Sequence, residues 1–372
     1  MNLAVFYGGD STERDIATIS GVQALNQLDD RFALYPIFVR DGKWYMPKHC
    51  ADMNTYRNFR PDKHPQVVLI GNKLYRLRGM RLKWIAQIDC ALICMHGGFG
   101  ENGGLQGLLD GNGVPYTSPG VTVSALGMDK RLSKTYFENI GCRVTEWVAL
   151  HGNESDREKL DTLVARCGYP LIVKPNAQGS SIGIEVAHDA ISLADAIHTA
   201  FAYDNCVIVE RALQNFKEIN CACVATRNGV IVSSLEQPVG WKEFLSFETK
   251  YLTDGKMSGG GRLFPAPLDS ETTEQIRQLS ERVYRSLDMQ GVVRFDYMID
   301  EKNKVYLNEM NTVPGSLAYY LFADKHIGYS ELVDMMCRYS MERASTCKHC
   351  AYVSEVLSRY NPARGGKMGC KS

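Results

Sequence analysis

The sequence predicts an α/β protein of two or three domains, with a parallel sheet at its N-terminal end and mixed sheets with helices after it. Three observations carry this. The chain has 372 residues and is 45% hydrophobic, enough to bury more core than one domain needs. The stretches LAVFYGGDSTERDIATISGVQAL and CALICMHGGFGENGGLQGLLDGNG each read as an apolar strand, a glycine-rich turn and a helix. Units of this kind build parallel sheets that bind ligands at the carboxyl ends of their strands. Further on, VVRFDYMID and KVYLNEMN alternate polar and apolar residues and read as a hairpin joined through DEKNK.

Each element follows in order. In the first unit Ser11 or Thr12 is placed to cap the helix, and Glu13 and Asp15 suit its positive end. PYTSPGVTVSA, residues 115–125, is rich in turn formers and marks a domain boundary. MDKRLSKTYFENIG reads as a helix, and YPLIVKPNAQGSSIGIEV as a strand, a glycine-serine loop and a strand. VIVERAL, EINCACVA and GVIVSSLEQP read as further strands. Residues 240–262, ending in SGGGR, lack periodicity and read as a long loop, of the kind that often serves as a lid. QIRQLSERVYRSL is an amphipathic helix, and residues 346–372 read as a tail.

Lys plus Arg equals Asp plus Glu at 42 each, so no net charge draws the chain to nucleic acid or to an anionic membrane. No apolar run approaches the roughly 18 to 20 residues of a spanning helix, and the N-terminus has no basic region of a secretory signal. The expected location is the cytoplasm. The 12 cysteines then read as reduced thiols. Cys347 and Cys350, with His349 and Cys370 nearby, have a spacing that could hold zinc; a solvated tail is the plainer reading.

In the paired strands Arg294 and Asp296 share a face, as do Glu309 and Asn311. Two carboxylates and an amide oxygen are hard ligands suited to magnesium, although a solvated sheet surface would alternate in the same way. The loop NAQGSSIG, residues 176–183, offers backbone amides and hydroxyls to a phosphate, with Lys174 just before it. It is not a Walker A loop. HGGFGENGG is dense in glycine ahead of a helix, as a backbone that approaches a ligand would be. Taken alone, His96 reads as a structural histidine.

Together, GGDSTERD, HGGFGENGGLQG, SALGMDKRLSK, KPNAQGSSIG, KYLTDG, RFDYMID and NEMNTVPG resemble the D-alanine-D-alanine ligases of the ATP-grasp superfamily, from Leu3 to about residue 340. Their order and spacing make the resemblance specific. It implies a three-domain ATP-grasp architecture: a Rossmann-like N-terminal domain (1–120), then two mixed α+β domains enclosing ATP (121–208 and 209–345), with a tail from 346. It also implies ATP and two magnesium or manganese ions as cofactors, D-alanine as substrate, and a homodimer. By the same resemblance Lys130 and Lys174 lie on the ATP phosphates, with Ser180 and Ser181 in the loop that closes over them. Glu210, Arg211 and Leu213 resemble adenine contacts, Glu218 the ribose ligand, and Lys250 a contact to the transferred phosphate. Asp296, Glu309 and Asn311 resemble the two-metal site, and Arg294 the oxyanion stabiliser. Glu13 resembles the residue that holds the first D-alanine, linked through Ser180 to Tyr251 on the lid. His96, Gly315 and Tyr320 join Glu13 and Arg294 as expected substrate contacts.

The sequence departs from the family pattern at two places. Gln178 stands where a glutamate or similar residue is usual. After PG the family commonly has Met or Phe and then T-S-x-S, whose last serine binds the second substrate's carboxylate; this chain has SLAYY, which puts Tyr320 in that place. Lid Tyr251 favours D-alanine as acceptor, because relatives that use D-lactate often carry histidine there. Three readings stay open: a D-alanine-D-alanine ligase, an ATP-grasp ligase with another acceptor such as D-serine or D-lactate, and a nucleotide-binding protein without catalysis.

Overall fold

The computed structural model describes residues 1–153, 155–239 and 261–346. Lys250, Tyr251, the expected lid up to residue 260, and the tail with Cys347, His349, Cys350 and Cys370 lie outside the described residues.

The first third of the chain carries β1 (Asn2–Gly8), β2 (Ala33–Arg40), β3 (Lys43–Tyr45), β4 (Val67–Ile70), β5 (Lys73–Arg78), β6 (Arg81–Gln87) and β7 (Cys90–Ile93). One sheet has the order β3-β2-β1-β7, with β2 and β7 parallel to β1 as expected, and β3 antiparallel at the edge. Leu3 to Tyr7 and Cys90 to Ile93 are almost wholly buried. This is what a parallel sheet covered on both faces requires. Val5 and Tyr7 pack on the side of the C-terminal helix Tyr329–Thr346, whereas Ala4 and Phe6 pack on the other side. There they meet Val67, Leu74 and Ala86 of a three-stranded antiparallel sheet, β4-β5-β6, which the sequence reading did not anticipate.

Two helix starts differ from expectation. Neither Ser11 nor Thr12 caps the helix Arg14–Gln27, whose N-cap residue is Glu13, with no side-chain cap. The Ser11 hydroxyl accepts from the Glu13 amide at 3.2 Å and donates to the His96 carbonyl at 2.7 Å, so it ties two glycine turns together. The helix read from residue 128 starts at Lys130 instead, because the Asp129 carboxylate caps it by accepting from Leu132 N–H at 2.8 Å. Val121–Met128, partly assigned to the turn-rich boundary, is a separate helix.

The next sheet has the order β10-β9-β11-β8, from β8 (Trp147–Leu150), β9 (Leu171–Pro175), β10 (Glu185–Ala187) and β11 (Val207–Arg211). The last has the order β13-β12-β16-β17, from β12 (Lys217–Thr226), β13 (Gly229–Val232), β16 (Val292–Ile299) and β17 (Val305–Asn311), with the short pair β14 (Gln237–Pro238) and β15 (Arg262–Leu263) between β13 and β16 in the chain. Both are antiparallel, and helices pack on them in α+β fashion. No helix among the described residues is long and apolar enough to cross a membrane.

Helix Ser270–Ser286 lies against the last sheet through Ile276, Val283 and Tyr284. The buried Tyr284 hydroxyl donates to Gly291 C=O at 2.6 Å and accepts from Ala225 N–H at 2.9 Å. It thereby clamps β12 to β16 just beyond their last paired residues, Val224 and Val292. Tyr284→Phe would orphan both buried backbone groups at little cost in volume. We expect a loss of about 1 to 3 kcal/mol, read from the urea midpoint at unchanged m-value.

Candidate active site

The expected hairpin forms, with Arg294 opposite Asn311 and Asp296 opposite Glu309. All four side chains therefore share one face. Strict alternation, however, would put Leu307 on that face as well. A bulge between Asp296 and Tyr297 shifts the register, so that Tyr297 faces Leu307 and Asn308 is the extra residue. Val305, Leu307 and Met310 consequently all reach the core, while Glu309 and Asn311 point away from it.

Arg294 grips Asp296 through Nε at 2.7 Å and Nη2 at 2.8 Å, and Asn311 Nδ2 donates to the same carboxylate at 2.9 Å. Burial alone would lower the pKa of Arg294, but the Asp296 charge more than reverses this and raises it. The donor set of Asp296, Glu309 and Asn311 fits a hard divalent cation. An ionised carboxylate has about four acceptor sites, so Asp296 keeps capacity for a ligand beside these three bonds. Two carboxylates are few for a dedicated cage, and no group of three or more His, Cys, Asp or Glu side chains is so arranged among the described residues. Such a site suits magnesium, which completes its shell with phosphate oxygens and water.

A second group forms where the N-terminal sheet meets the loop 176–183. Ser180 Oγ donates to Glu13 Oε1. The carboxylate lies in a cradle of two glycines: a Cβ on Gly97 would stand 2.7 Å from Glu13 Oε2, and one on Gly179 only 2.4 Å. That explains glycine at these places in HGGFG and NAQGSS. His96 is buried, with Nε2 at 2.8 Å from Ser20 Oγ and Nδ1 at 2.8 Å from the Val313 carbonyl. Both ring nitrogens are thus engaged by the protein, and the imidazole braces helix Arg14–Gln27 against the turn after Asn311. Burial lowers its pKa.

Three lysines gather nearby. Lys130 Nζ donates to the Gln178 carbonyl at 2.5 Å and has Glu309, Lys174, Glu13 and Glu210 as charged neighbours. Lys174 and Lys134 each hold one oxygen of Glu210, the latter at 2.6 Å, and all three side chains are buried. Burial favours the neutral form of Glu210, but the two lysines outweigh it and hold the pKa well below the ordinary range. The Glu210 carboxylate thereby ties strand β9 to the helix Lys130–Asn139. Arg211 pairs with Glu146 at 2.6 Å, and Leu213 joins Met298, Tyr306 and Phe216 in a small apolar cluster. Met298 lies two residues from Asp296 and faces Glu218 across the sheet.

After Pro314 the chain enters a 3-10 segment, Gly315–Lys325, through three left-handed residues, Ser316, Leu317 and Ala318. The turn brings Tyr320 under the Arg262 guanidinium, 4.7 Å from its ring centre, with Arg294 as a further charged neighbour. The structure so brings together Glu13, Lys130, Lys174, Ser180, Arg294, Asp296, Glu309, Asn311 and Tyr320. No motif in the sequence singles out Lys134, Glu101, Asn220 or Glu236. Lys134 lies one helical turn after Lys130, a spacing that signals a shared face; the others have no local signature.

Glu101 is buried beside these groups. It accepts from Gly97 N–H at 2.9 Å, Val313 N–H at 3.1 Å and Thr312 Oγ1 at 3.3 Å, tying the glycine turn to the end of β17. Burial, then the Glu13 charge, pushes its carboxyl from 4.5 up to about 7. The folded state therefore holds a proton that the unfolded state has lost between these values, and stability falls as pH rises from about 4.5 to 7. Glu101→Gln should remove this component, about 3 kcal/mol across the window, seen as a flatter denaturation midpoint against pH than in the parent chain.

Comparison with known proteins identifies the family. The family models "D-ala D-ala ligase N-terminus" and "D-ala D-ala ligase C-terminus" match residues 2–119 and 136–338. The chain is 32% identical to a D-alanine–D-alanine ligase of Thermosipho africanus, over 92% of this chain and 94% of that protein. It is 32% identical to one of Caldicellulosiruptor bescii, over 95% and 99%. The crystal structure of the Helicobacter pylori ligase superposes with a TM-score of 0.74 at 29% identity, covering 90% of this chain and 98% of that one. The chain belongs to the D-alanine–D-alanine ligase family, with its ATP-grasp fold.

Proposed function

We propose that the chain joins two D-alanines into D-alanyl-D-alanine at the expense of ATP, for peptidoglycan precursor synthesis in the cytoplasm. The observation that carries this reading is the meeting of Glu13 and Ser180 beside Lys130, which has Glu309 as its strongest charged neighbour. An ammonium site, a phosphate site and a metal site are thereby contiguous.

In the first step a carboxylate oxygen of D-alanine attacks the γ-phosphorus of ATP, the bond to ADP breaks, and an acyl phosphate forms. Glu13, oriented by Ser180, holds this substrate's ammonium, with His96 acting as a brace. Lys130 and Lys174 hold the phosphates, Ser181 and the loop around it cover them, and Lys250 reaches the transferred group. Leu213 and its apolar neighbours take the adenine, the backbone of Glu210 and Arg211 flanks it, and Glu218 takes the ribose. Asp296, Glu309 and Asn311 would hold two magnesium or manganese ions, which supply charge neutralisation at the phosphate oxygens. In the second step the free amine of the other D-alanine attacks the acyl carbon. Its nitrogen loses a proton and inorganic phosphate leaves. Arg294 stabilises the oxyanion, a role worth on the order of 3 kcal/mol. Gly315 and Tyr320 receive the acceptor's carboxylate, and Tyr251 belongs to the lid that keeps water from the acyl phosphate.

The domain division we propose is 1–120, 121–208 and 209–345, with a tail from 346. We also propose a homodimer; the exposed Ile70, Leu82 and Trp84 on the outer sheet support an interface there. A second reading, ligation of D-alanine to another acceptor such as D-serine or D-lactate, is favoured by Tyr320.

Phosphate release from ATP should depend on D-alanine and yield the dipeptide, and its absence with every D-amino acid would sink both readings. Glu309→Ala should cut turnover by about a hundredfold or more while leaving the circular dichroism spectrum unchanged. Near-normal turnover would refute the metal assignment.

A further inference from the structure

Asn220 and Glu236 have no role in the reaction as described, yet they continue its row of polar side chains. Glu236 and Asn220 form an isolated antiparallel bridge, with backbone hydrogen bonds of 2.9 and 3.0 Å. Asn220 faces Asp296 across β12 and β16, and Asp296 faces Glu309. Direct cross-strand partners lie about 5 Å apart on the same face, so four side chains stand in line there. Glu236 is only 6% exposed and Asn220 5%. Glu236 Oε2 and Asn220 Oδ1 are buried and have no hydrogen-bond partner among the described residues. Buried acceptors in native proteins are rarely left so without a ligand or water to satisfy them.

The surroundings identify the kind of ligand. Arg262 and Arg294 are the cationic neighbours of Glu236, and Asp296 the anionic one. Tyr320 in turn has Glu236, Asp296, Arg294 and Arg262 as charged neighbours, so Glu236 and Tyr320 stand in the same charged cluster. The buried Glu236 Oε2, with no partner among the described residues, calls for a donor. Both unpartnered atoms are oxygen acceptors. A methyl side chain would leave them unsatisfied, whereas an O–H or N–H group would pair with them.

We propose that Asn220 and Glu236 form a subsite of the acceptor pocket that takes a hydrogen-bond donor on the side chain of the second amino acid. The inference rests on the ligase reading, in which Arg294 and Tyr320 face that acceptor. It makes acceptors with a side-chain hydroxyl or amine, such as D-serine or D-2,3-diaminopropionate, better substrates than D-2-aminobutyrate, which has similar size and no donor.

The test is a competition in which the purified full chain receives ATP, D-alanine and pairs of these acceptors, with each mixed dipeptide quantified by mass spectrometry. The ratio of kcat/KM values within one preparation does not depend on the folded fraction. For the parent chain we expect the donor-bearing acceptors to lead D-2-aminobutyrate by at least about tenfold. Glu236→Leu should bring the ratio close to one or reverse it, and the isosteric Glu236→Gln should retain part of it. Dipeptide formation without preference in the parent chain, or a ratio unchanged in Glu236→Leu, overturns the subsite and leaves the ligase reading standing. No dipeptide from any acceptor, D-alanine included, overturns the ligase reading and the subsite with it.

Discussion

The extra residue in β17 is the constraint on which the site depends. Val305, Leu307, Glu309 and Asn311 are two apart in sequence, and a regular strand would send all four to one face. That strand could serve the core or the site, not both. With Asn308 bulged out, the first pair packs beside Tyr297 and Ile299, and the second stands opposite Asp296 and Arg294. The same register aligns Asn220 with Asp296 on the other side. A slip of one residue would reverse the face of every side chain in the row. Tyr284, which clamps β12 to β16 at the far end of the pairing, therefore matters to the chemistry although it touches none of the expected ligands.

Around this row charge is separated. Asp296 and Glu309 on the last sheet and Glu236 beside it gather carboxylates, while Lys130 and Lys134 on one helix and Lys174 on β9 gather opposite. Glu210 neutralises only one of the two lysines it touches, so the buried trio retains a net positive charge. A lone buried carboxylate facing one lysine would cancel that charge. The second lysine thus leaves positive charge unneutralised on this side, facing the carboxylates on the other. Because the chain as a whole is neutral, with 42 charges of each sign, none of this is visible in its composition.

What could be read from the sequence was whatever depends on neighbours along the chain. Period-two alternation located β16 and β17, the apolar runs located β1 and β7, and glycine density located the turns that cradle Glu13. The order of the motifs identified the family. Ser11 misled because its hydroxyl had a better use, the His96 carbonyl across a gap that no local pattern reveals. The bulge at Asn308 has no glycine to announce it. Glu101, Asn220 and Glu236 look like ordinary polar residues of a helix and two strands until the chain folds and buries them.

The turn after Pro314 illustrates how such long-range needs override local preference. Three consecutive residues other than glycine adopt the left-handed region, with φ of 51°, 53° and 46° at Ser316, Leu317 and Ala318. Each carries a steric cost of roughly 1 to 2 kcal/mol. Tertiary contacts hold them there: Leu317 and Ala318 are buried against the N-terminal core, and Ser316 Oγ donates to Gln23 Oε1 at 2.6 Å. Glycines would relieve the strain but surrender the buried Leu317 side chain and the hydroxyl. The strained turn reverses the chain within three residues, which sets Tyr320 beside Arg262 and Arg294 rather than letting the segment run on past the site. The backbone at this turn is thus held at an energetic cost that the buried Leu317 and Ala318 and the Ser316–Gln23 hydrogen bond offset.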